Sequence, residues 1–323
     1  MAAIQQEIRY NNKKVKEKKK KTWEIIKSQK ELIFMSVPFL FYIILFHYVP
    51  IWGWLMAFQN YVPGKSILDQ QWVGFEQFST LFTSMGFVRI LRNTLAMSFI
   101  NLVLGFLSAI TVALLINEIK IKFLKRSVQT ISYLPHFLSW IVATGIVANM
   151  ISADPSIGII NNLLMKFHII SEPILFLGIP KLFWPIVGLS HVWKEVGWNT
   201  IIYLSAIASI DPALYEAAQI DGAGRFQKMF HVTLPGIKPT IMILLIMTIG
   251  HLLDAGFEIQ YFLGSGLVSD YSETIDIFVL KYGISQFNYS LATAAGIFKS
   301  AVNITLLLLA NYLSGKFGEE KLV

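Results

Sequence analysis

Cysteine is absent from the 323 residues, which removes disulfides, thiolate metal sites and cysteine nucleophiles from consideration. Charge is scarce: Asp, Glu, Lys and Arg make up 15% of the chain against 54% hydrophobic residues, a balance that belongs to membrane proteins rather than soluble domains. No G-x-x-x-x-G-K-[ST] loop occurs, so the chain lacks the backbone cradle that would hold nucleotide phosphates. Neither an H-E-x-x-H helix nor a G-x-S-x-G elbow is found, and the six histidines are scattered, leaving zinc or serine hydrolysis without its residues. There is no internal repeat, and the only low-complexity stretch is the lysine-rich Lys13 to Lys21.

Long apolar runs are abundant instead. A hydrocarbon core about 30 Å thick needs about 20 apolar helical residues. Six segments meet that length: Leu32 to Met56, Asn93 to Asn117, Ser127 to Ile151, Phe183 to Ile210, Thr240 to Phe262 and Leu291 to Ser314. Pro38 and Pro50 should kink the first, and the fourth and fifth carry ionisable residues. The expected fold is therefore an all-α membrane protein with six transmembrane helices. A basic segment, residues 1–31, precedes the six-span domain, residues 32–323. About thirty polar residues before the first run argue for an uncleaved start rather than a signal peptide, and the lysines suit a solvated anchor near anionic headgroups rather than nucleic acid.

The distribution of Lys and Arg orients the chain. Nineteen fall in residues 1–31, the loop after the second span, the loop around residues 211–238 and the tail. Six fall on the opposite side, and Lys194 and Lys299 lie inside spans. Cytoplasmic loops carry the excess, so both termini and the 211–238 loop are expected in the cytoplasm. On the other side, Tyr61 to Leu91 is rich in aromatics (Trp72, Phe75, Phe78, Phe82), and Gly158 to Leu164 has the pattern of a short amphipathic helix at the surface.

Polar groups within the spans are the candidates for a solute path. His191, Lys194, Glu195 and Trp198 share a face of the fourth span, with Trp193 and Asn199 beside them; His251, Asp254 and Glu258 share one on the fifth; Lys299 and Asn303 are four apart on the sixth. A charge at mid-bilayer costs on the order of 2.5–3.5 kcal/mol on insertion scales, so such residues face a bundle interior or water. Two readings stay open: a water-filled path, or internal ion pairs such as Lys194 with Asp254 and Lys299 with Glu258.

Between the fourth and fifth spans lies DPALYEAAQIDGAGRFQKMFHVTLPGIK, Asp211 to Lys238. Asp211 suits an N-cap and Pro212 the first helical position; Leu214, Ala217 and Ala218 form a small apolar face. Gly222-Ala223-Gly224 should end that helix, and Arg225 to His231 should form a second, stopped by Pro235. Two short helices at an angle make a protruding knob. Glu216-Ala217-Ala218, then Gly222, Val232 and Leu234-Pro235, resemble the EAA signature of ABC importer permeases, spacing included, with Val232 where Ile is commoner. Leu91-Arg92-Asn93-Thr94-Leu95, Trp193 to Trp198 and Phe257 to Tyr261 are similar to the branch that imports oligosaccharides and polysaccharides, the alginate transporter among them.

The resemblance implies a type I importer permease fold in a bacterial inner membrane. It implies that Glu216, Ala217, Ala218, Asp221, Gly222, Arg225, Leu234 and Pro235 couple the chain to a cytoplasmic ABC ATPase dimer, which binds the ATP and magnesium. It also implies a second homologous permease, giving a heterodimer, and an external solute-binding protein that delivers the sugar. This chain itself would be non-catalytic, without cofactor or metal. The competing reading is a proton-coupled carrier using Asp254, Glu258, His251 and Lys194; the paired repeats with broken helices usual in such carriers are not legible here.

Overall fold

A computed structural model describes residues 27–84 and 86–316. The lysine run, most of segment 1–31 and Lys321 lie outside the described residues. The chain divides into two compact units, Met1–Leu55 and Met56–Val323.

The first unit contains most of α1, Lys30–Phe58. α1 is regular to Ile43, passes through a widened turn at Ile44–Tyr48, then tightens to Phe58. Pro38 and Pro50 flank the widened turn, consistent with the hydrogen bond each proline withdraws. Every residue from 27 to 52 is exposed, and apolar ones such as Phe34 and Phe39 stand out to 79% and 71%, as suits a helix surrounded by lipid.

The second unit opens with a two-stranded antiparallel ribbon, β1 Gln59–Asn60 and β2 Gln71–Trp72, with Gln59 opposite Trp72. Helices α2 Glu76–Thr83 and α3 Phe87–Glu118 follow. α4 Lys122–Phe137 and α5 Trp140–Met150 meet at 105°. Next come α6 Ile159–Lys166 and α7 Pro180–Ala208, then α8 Pro212–Ile220, α9 Arg225–Gly236 and α10 Lys238–Ile249. Short α11 Phe257–Leu263 and α12 Ile275–Val279 precede the long α13 Tyr289–Lys316. Among the described residues three helices, α1, α3 and α13, are long and apolar enough to cross a membrane alone; counting each bent pair as one crossing brings the number to six.

Six crossings remain when bent pairs are counted, but two of the expected spans are not continuous helices. The third, Ser127 to Ile151, is not one helix: Pro135 sits in a tight turn, and Leu138-Ser139 are extended or non-helical before Ser139 caps α5. The fifth, Thr240 to Phe262, is not one helix either. α10 has 12 residues, about 18 Å at the helical rise, and the chain then unwinds until Gly256, whose φ of +84° suits glycine. Asp254 therefore does not share a helical face with Glu258. Broken helices are present after all, so their apparent absence no longer argues against a carrier.

α3 and α7 form the spine. Ala109 and Ala113 of α3 face Tyr203 and Ile207 of α7 in one buried cluster. Small residues let the backbones approach, the packing that holds helices together where lipid is as apolar as leucine. Thr200 exploits that closeness, donating 3.3 Å to the Ala109 carbonyl. Gly197 lies so near the Ser132 carbonyl that an added Cβ would collide with α4's backbone. A second cluster joins Met97, Phe183, Val187, Ala255 and Ile259, and a third joins Leu81, Phe87, Leu253, Ile275 and Leu291.

The other segments hold their own loops. Asn161, fully buried on α6, donates to Ser152 and Ile174 carbonyls and accepts from the Ile174 N–H. In the same loop Ser156 donates its N–H and hydroxyl to Asp154, which keeps that carboxyl below its ordinary range. Phe75 and Phe78 pack on Phe58, whereas Trp72, Phe75 and Phe82 remain at least half exposed.

Candidate functional site

The knob forms as two helices. Asp211 Oδ1 accepts from the Ala213 N–H at 2.9 Å, capping α8, and α7 meets α8 at 71°. Gly222, at φ +80°, turns the chain toward α9. No atom lies within 4 Å of the space its Cβ would fill. Glycine is needed there for its left-handed backbone, not for room. Tyr215 and Thr233 share a 3.0 Å hydrogen bond that ties the helices together. Pro235 does not stop α9: a widened turn at Met229–Thr233 precedes it, and the helix runs on to Gly236 before bending 56° into α10. Glu216, Ala217, Asp221 and Arg225 are exposed, as are Leu214, Ile220 and Phe226; Ala218 and Leu234 are half-buried. The knob thus carries an exposed apolar patch beside an exposed carboxylate, a combination that suits contact with another protein.

At the α4–α5 corner, Lys194 of α7 is 4% exposed. Its Nζ donates to the His136 carbonyl at 3.1 Å and pairs with Glu195 at 2.8 Å. Glu195 lies 2.7 Å from His136 Nδ1, Trp198 stacks on the His136 ring with centroids 4.5 Å apart, and the ammonium sits 4.7 Å above Trp140. Lys194 thus satisfies a carbonyl freed by the turn at Pro135. It pairs with Glu195, not Asp254. Trp193 faces elsewhere, onto an apolar groove with Met150 and Leu189.

At the unwound stretch, Lys299 of α13 bridges Asp254 at 2.6 Å and Asp276 at 2.5 Å, rather than meeting Glu258. Asn303, one turn along, accepts from the Leu253 N–H at 3.0 Å. Gln260 and Asn101 both donate to the Ala255 carbonyl, at 2.6 and 3.4 Å. Non-helical backbone is tolerated at membrane depth only where such partners, or water, replace the lost ladder. Glu258 is exposed in the first turn of α11, where the helix dipole favours a carboxylate.

Beside this stretch is a cavity of about 260 Å³. His191 and Asn199 of α7 line it with His251 and Asp254, which are 2.9 Å apart. Lys194, Glu195, Trp198, Glu258, Lys299 and Asn303 do not. Ser98, Asn101 and Gly105 of α3, with Tyr203 and Thr248, complete the wall. Ser98 Oγ, Asn101 Oδ1 and His191 Nδ1 are buried without a hydrogen-bond partner. Sequence reasoning missed the α3 residues, although 98, 101 and 105 share a face at helical spacing and a search for neutral polar stripes would have found them.

Broken spans packed round a polar cavity, with an exposed two-helix knob, define a multi-pass transport protein. Residues 101–318 match the family described as "Binding-protein-dependent transport system inner membrane component", and the chain belongs to it. It is 44% identical over 305 residues to the polygalacturonan/rhamnogalacturonan transport system permease protein YteP of Bacillus subtilis (strain 168), covering 94% of each chain. It is 41% identical to protein LplB of the same organism, covering 92% of each. Among solved structures it is similar to a bacterial ABC transporter involved in import of the acidic polysaccharide alginate, with TM-score 0.84, 40% identity and coverage of 92% of this chain and 99% of that one. A second alginate transporter structure, in complex with an alginate pentasaccharide-bound periplasmic protein, aligns with TM-score 0.85 and 39% identity, covering 93% and 99%. The chain is thus a permease component of a binding-protein-dependent importer, and the proton-coupled carrier is not favoured.

Proposed function

We propose that this chain forms one half of the passage through which an ATP-driven importer carries an oligosaccharide or polysaccharide, acidic ones included. The observation that carries the path assignment is the state of His251 and Asp254, charged or chargeable side chains that stay exposed beside the cavity in a segment of membrane depth. Such groups face water or a partner subunit, not lipid. Ser98, Asn101, His191 and Asn199 offer neutral donors and acceptors to sugar hydroxyls. Neutral bonds exchange readily with water, so a ligand can leave as well as enter. The acidic character of the cargo is supported by the relatives: no Lys or Arg lines this cavity, and Lys299 nearby is already shared by two carboxylates.

The partners in this reading are a second, homologous permease in a heterodimer, an external solute-binding protein, and a cytoplasmic ATPase pair that binds ATP and magnesium. The knob, with Glu216 at its exposed face, enters a cleft on one ATPase; both termini lie on that side. ATPase closure then tilts α8 and α9, and with them α7 and α10. The test is reconstitution of the assembled importer in vesicles. Glu216→Lys should lower ATPase stimulation by the loaded binding protein about tenfold or more, the cost of reversing a desolvated charge contact, with the complex intact. Uptake that survives ATP depletion and collapses with an uncoupler would instead favour the carrier.

A further inference from the structure

We infer a second saccharide site, separate from the membrane cavity, in a groove between the start of α3 and the segment from α11 to α12; it rests on the import reading above. The groove has a volume of about 620 Å³, within the range of about 300–1,000 Å³ typical of small-molecule sites. Arg89, Gln260, Tyr261, Ser265, Glu273 and Lys281 line it.

Three features mark it as a binding site. Its wall is held in place beforehand: Arg92 and Asn93 donate to the Asp270 carbonyl at 2.7 and 3.0 Å, Asn93 donates to the Glu273 carbonyl at 3.0 Å, and Thr94 Oγ1 accepts from the Ile275 N–H at 3.0 Å. The Arg92-Asn93-Thr94 triplet, which the path does not use, therefore builds this wall, and a preformed wall spares a ligand the cost of ordering it. Second, two buried polar atoms at the groove have no partner: the Arg89 Nε donor and the Oε1 acceptor of Gln260, itself 0% exposed. A hydroxyl both donates and accepts, which is what an unmatched donor and an unmatched acceptor require. Third, Arg89 is held by Asp270 at 2.6 Å and by Glu273 at 3.0 Å, which leaves Lys281, 2.7 Å from Glu273 and half exposed, as the ammonium with donors to offer a ligand, and Tyr261 offers a half-exposed ring. Hydroxyl partners, a half-exposed ammonium and an aromatic face together fit a sugar unit bearing a carboxylate. By the orientation proposed above, the groove opens to the outside and receives cargo before the membrane cavity does.

The absence of native cysteine makes a direct experiment clean. In the assembled importer, Ser265→Cys is treated with a water-soluble thiol reagent, with or without saturating trigalacturonate as probe. Protection should slow the reaction about fivefold or more, as occupancy well above half requires. Lys281→Gln and Tyr261→Ala should raise the KM for uptake of the same probe about tenfold each, the scale of one charge-assisted contact or one ring, while kcat stays within about twofold. Unchanged labelling and unchanged KM would overturn the site while wild-type uptake leaves the import reading standing. Equal protection by the binding protein without sugar would also overturn it, by assigning the groove to a protein contact. If the wild type takes up no saccharide at all, the import reading itself fails.

Discussion

Between α4 and α5 the chain turns through 105°, whereas between α10 and α11 it unwinds over residues 250–256. A lysine from a neighbouring long helix holds each interruption, but the two are sealed differently. At the corner, Lys194 is buried, its partners are Glu195 and a carbonyl, and aromatic rings close over it. At the unwound stretch, Lys299 reaches carboxylates that remain half open, and Asp254 faces the cavity. The corner is a dry joint that fixes a bend. The unwound stretch is open to the cavity, and in the function proposed above its polar groups are available to a passing solute. Intramembrane charge by itself therefore does not mark a candidate path residue; exposure to the cavity is the feature that separates the two groups.

The largest effect should come from breaking the dry joint. Lys194→Met leaves Glu195 without its ammonium and a carbonyl without its donor, a loss of about 3–5 kcal/mol for a broken buried pair. A fall in the melting temperature of the purified complex, with sugar selectivity unchanged in whatever still transports, is the expected result. Altered selectivity at unchanged stability would move Lys194 into the path. Adding Glu195→Gln should recover part of the loss. Next in size, Asn303→Leu removes the acceptor of the Leu253 N–H, costing about 1–3 kcal/mol for an orphaned buried donor, again read in the melting temperature. Because that change loosens the unwound stretch, basal ATPase activity without binding protein should rise as well. The smallest effect is at the knob: Gly222→Ala puts a β-carbon at φ +80° and should cost about 1 kcal/mol, with Gly222→Asn milder because asparagine tolerates that conformation. Both should only slightly reduce stimulated ATPase activity. A severe defect would mean that the space around Gly222, open in this chain, is filled by the partner.

The sequence made the knob legible almost to the residue, because caps, proline and glycine act locally: Asp211, Pro212 and Gly222 do in the structure what their types require. Pro235 misled, since a widened turn upstream absorbs a proline that propensity alone would treat as a stop. Span count was readable from apolar length; span continuity was not. Hydropathy over Ser127 to Ile151 or Thr240 to Phe262 stays high whether the backbone is helical or broken, as the missing ladder bonds are replaced by Asn303, Asn101 and Lys194 from distant segments and by Gln260 of the run itself. For the same reason the eleven path candidates divide, four at the cavity and seven away from it. His191, Asn199, His251 and Asp254 reach the cavity, while Lys194, Lys299 and Asn303 turn out to hold the breaks.

The cavity beside the unwound stretch is the centre of this account, and Thr248→Cys, on its wall, tests it most directly. In vesicles carrying the complete importer, a membrane-impermeant thiol reagent should reach that cysteine from one side at rest and from the opposite side once nucleotide holds the ATPase pair closed, with sugar slowing both reactions. Reaction from one side alone in every state, or none that sugar affects, would contradict it.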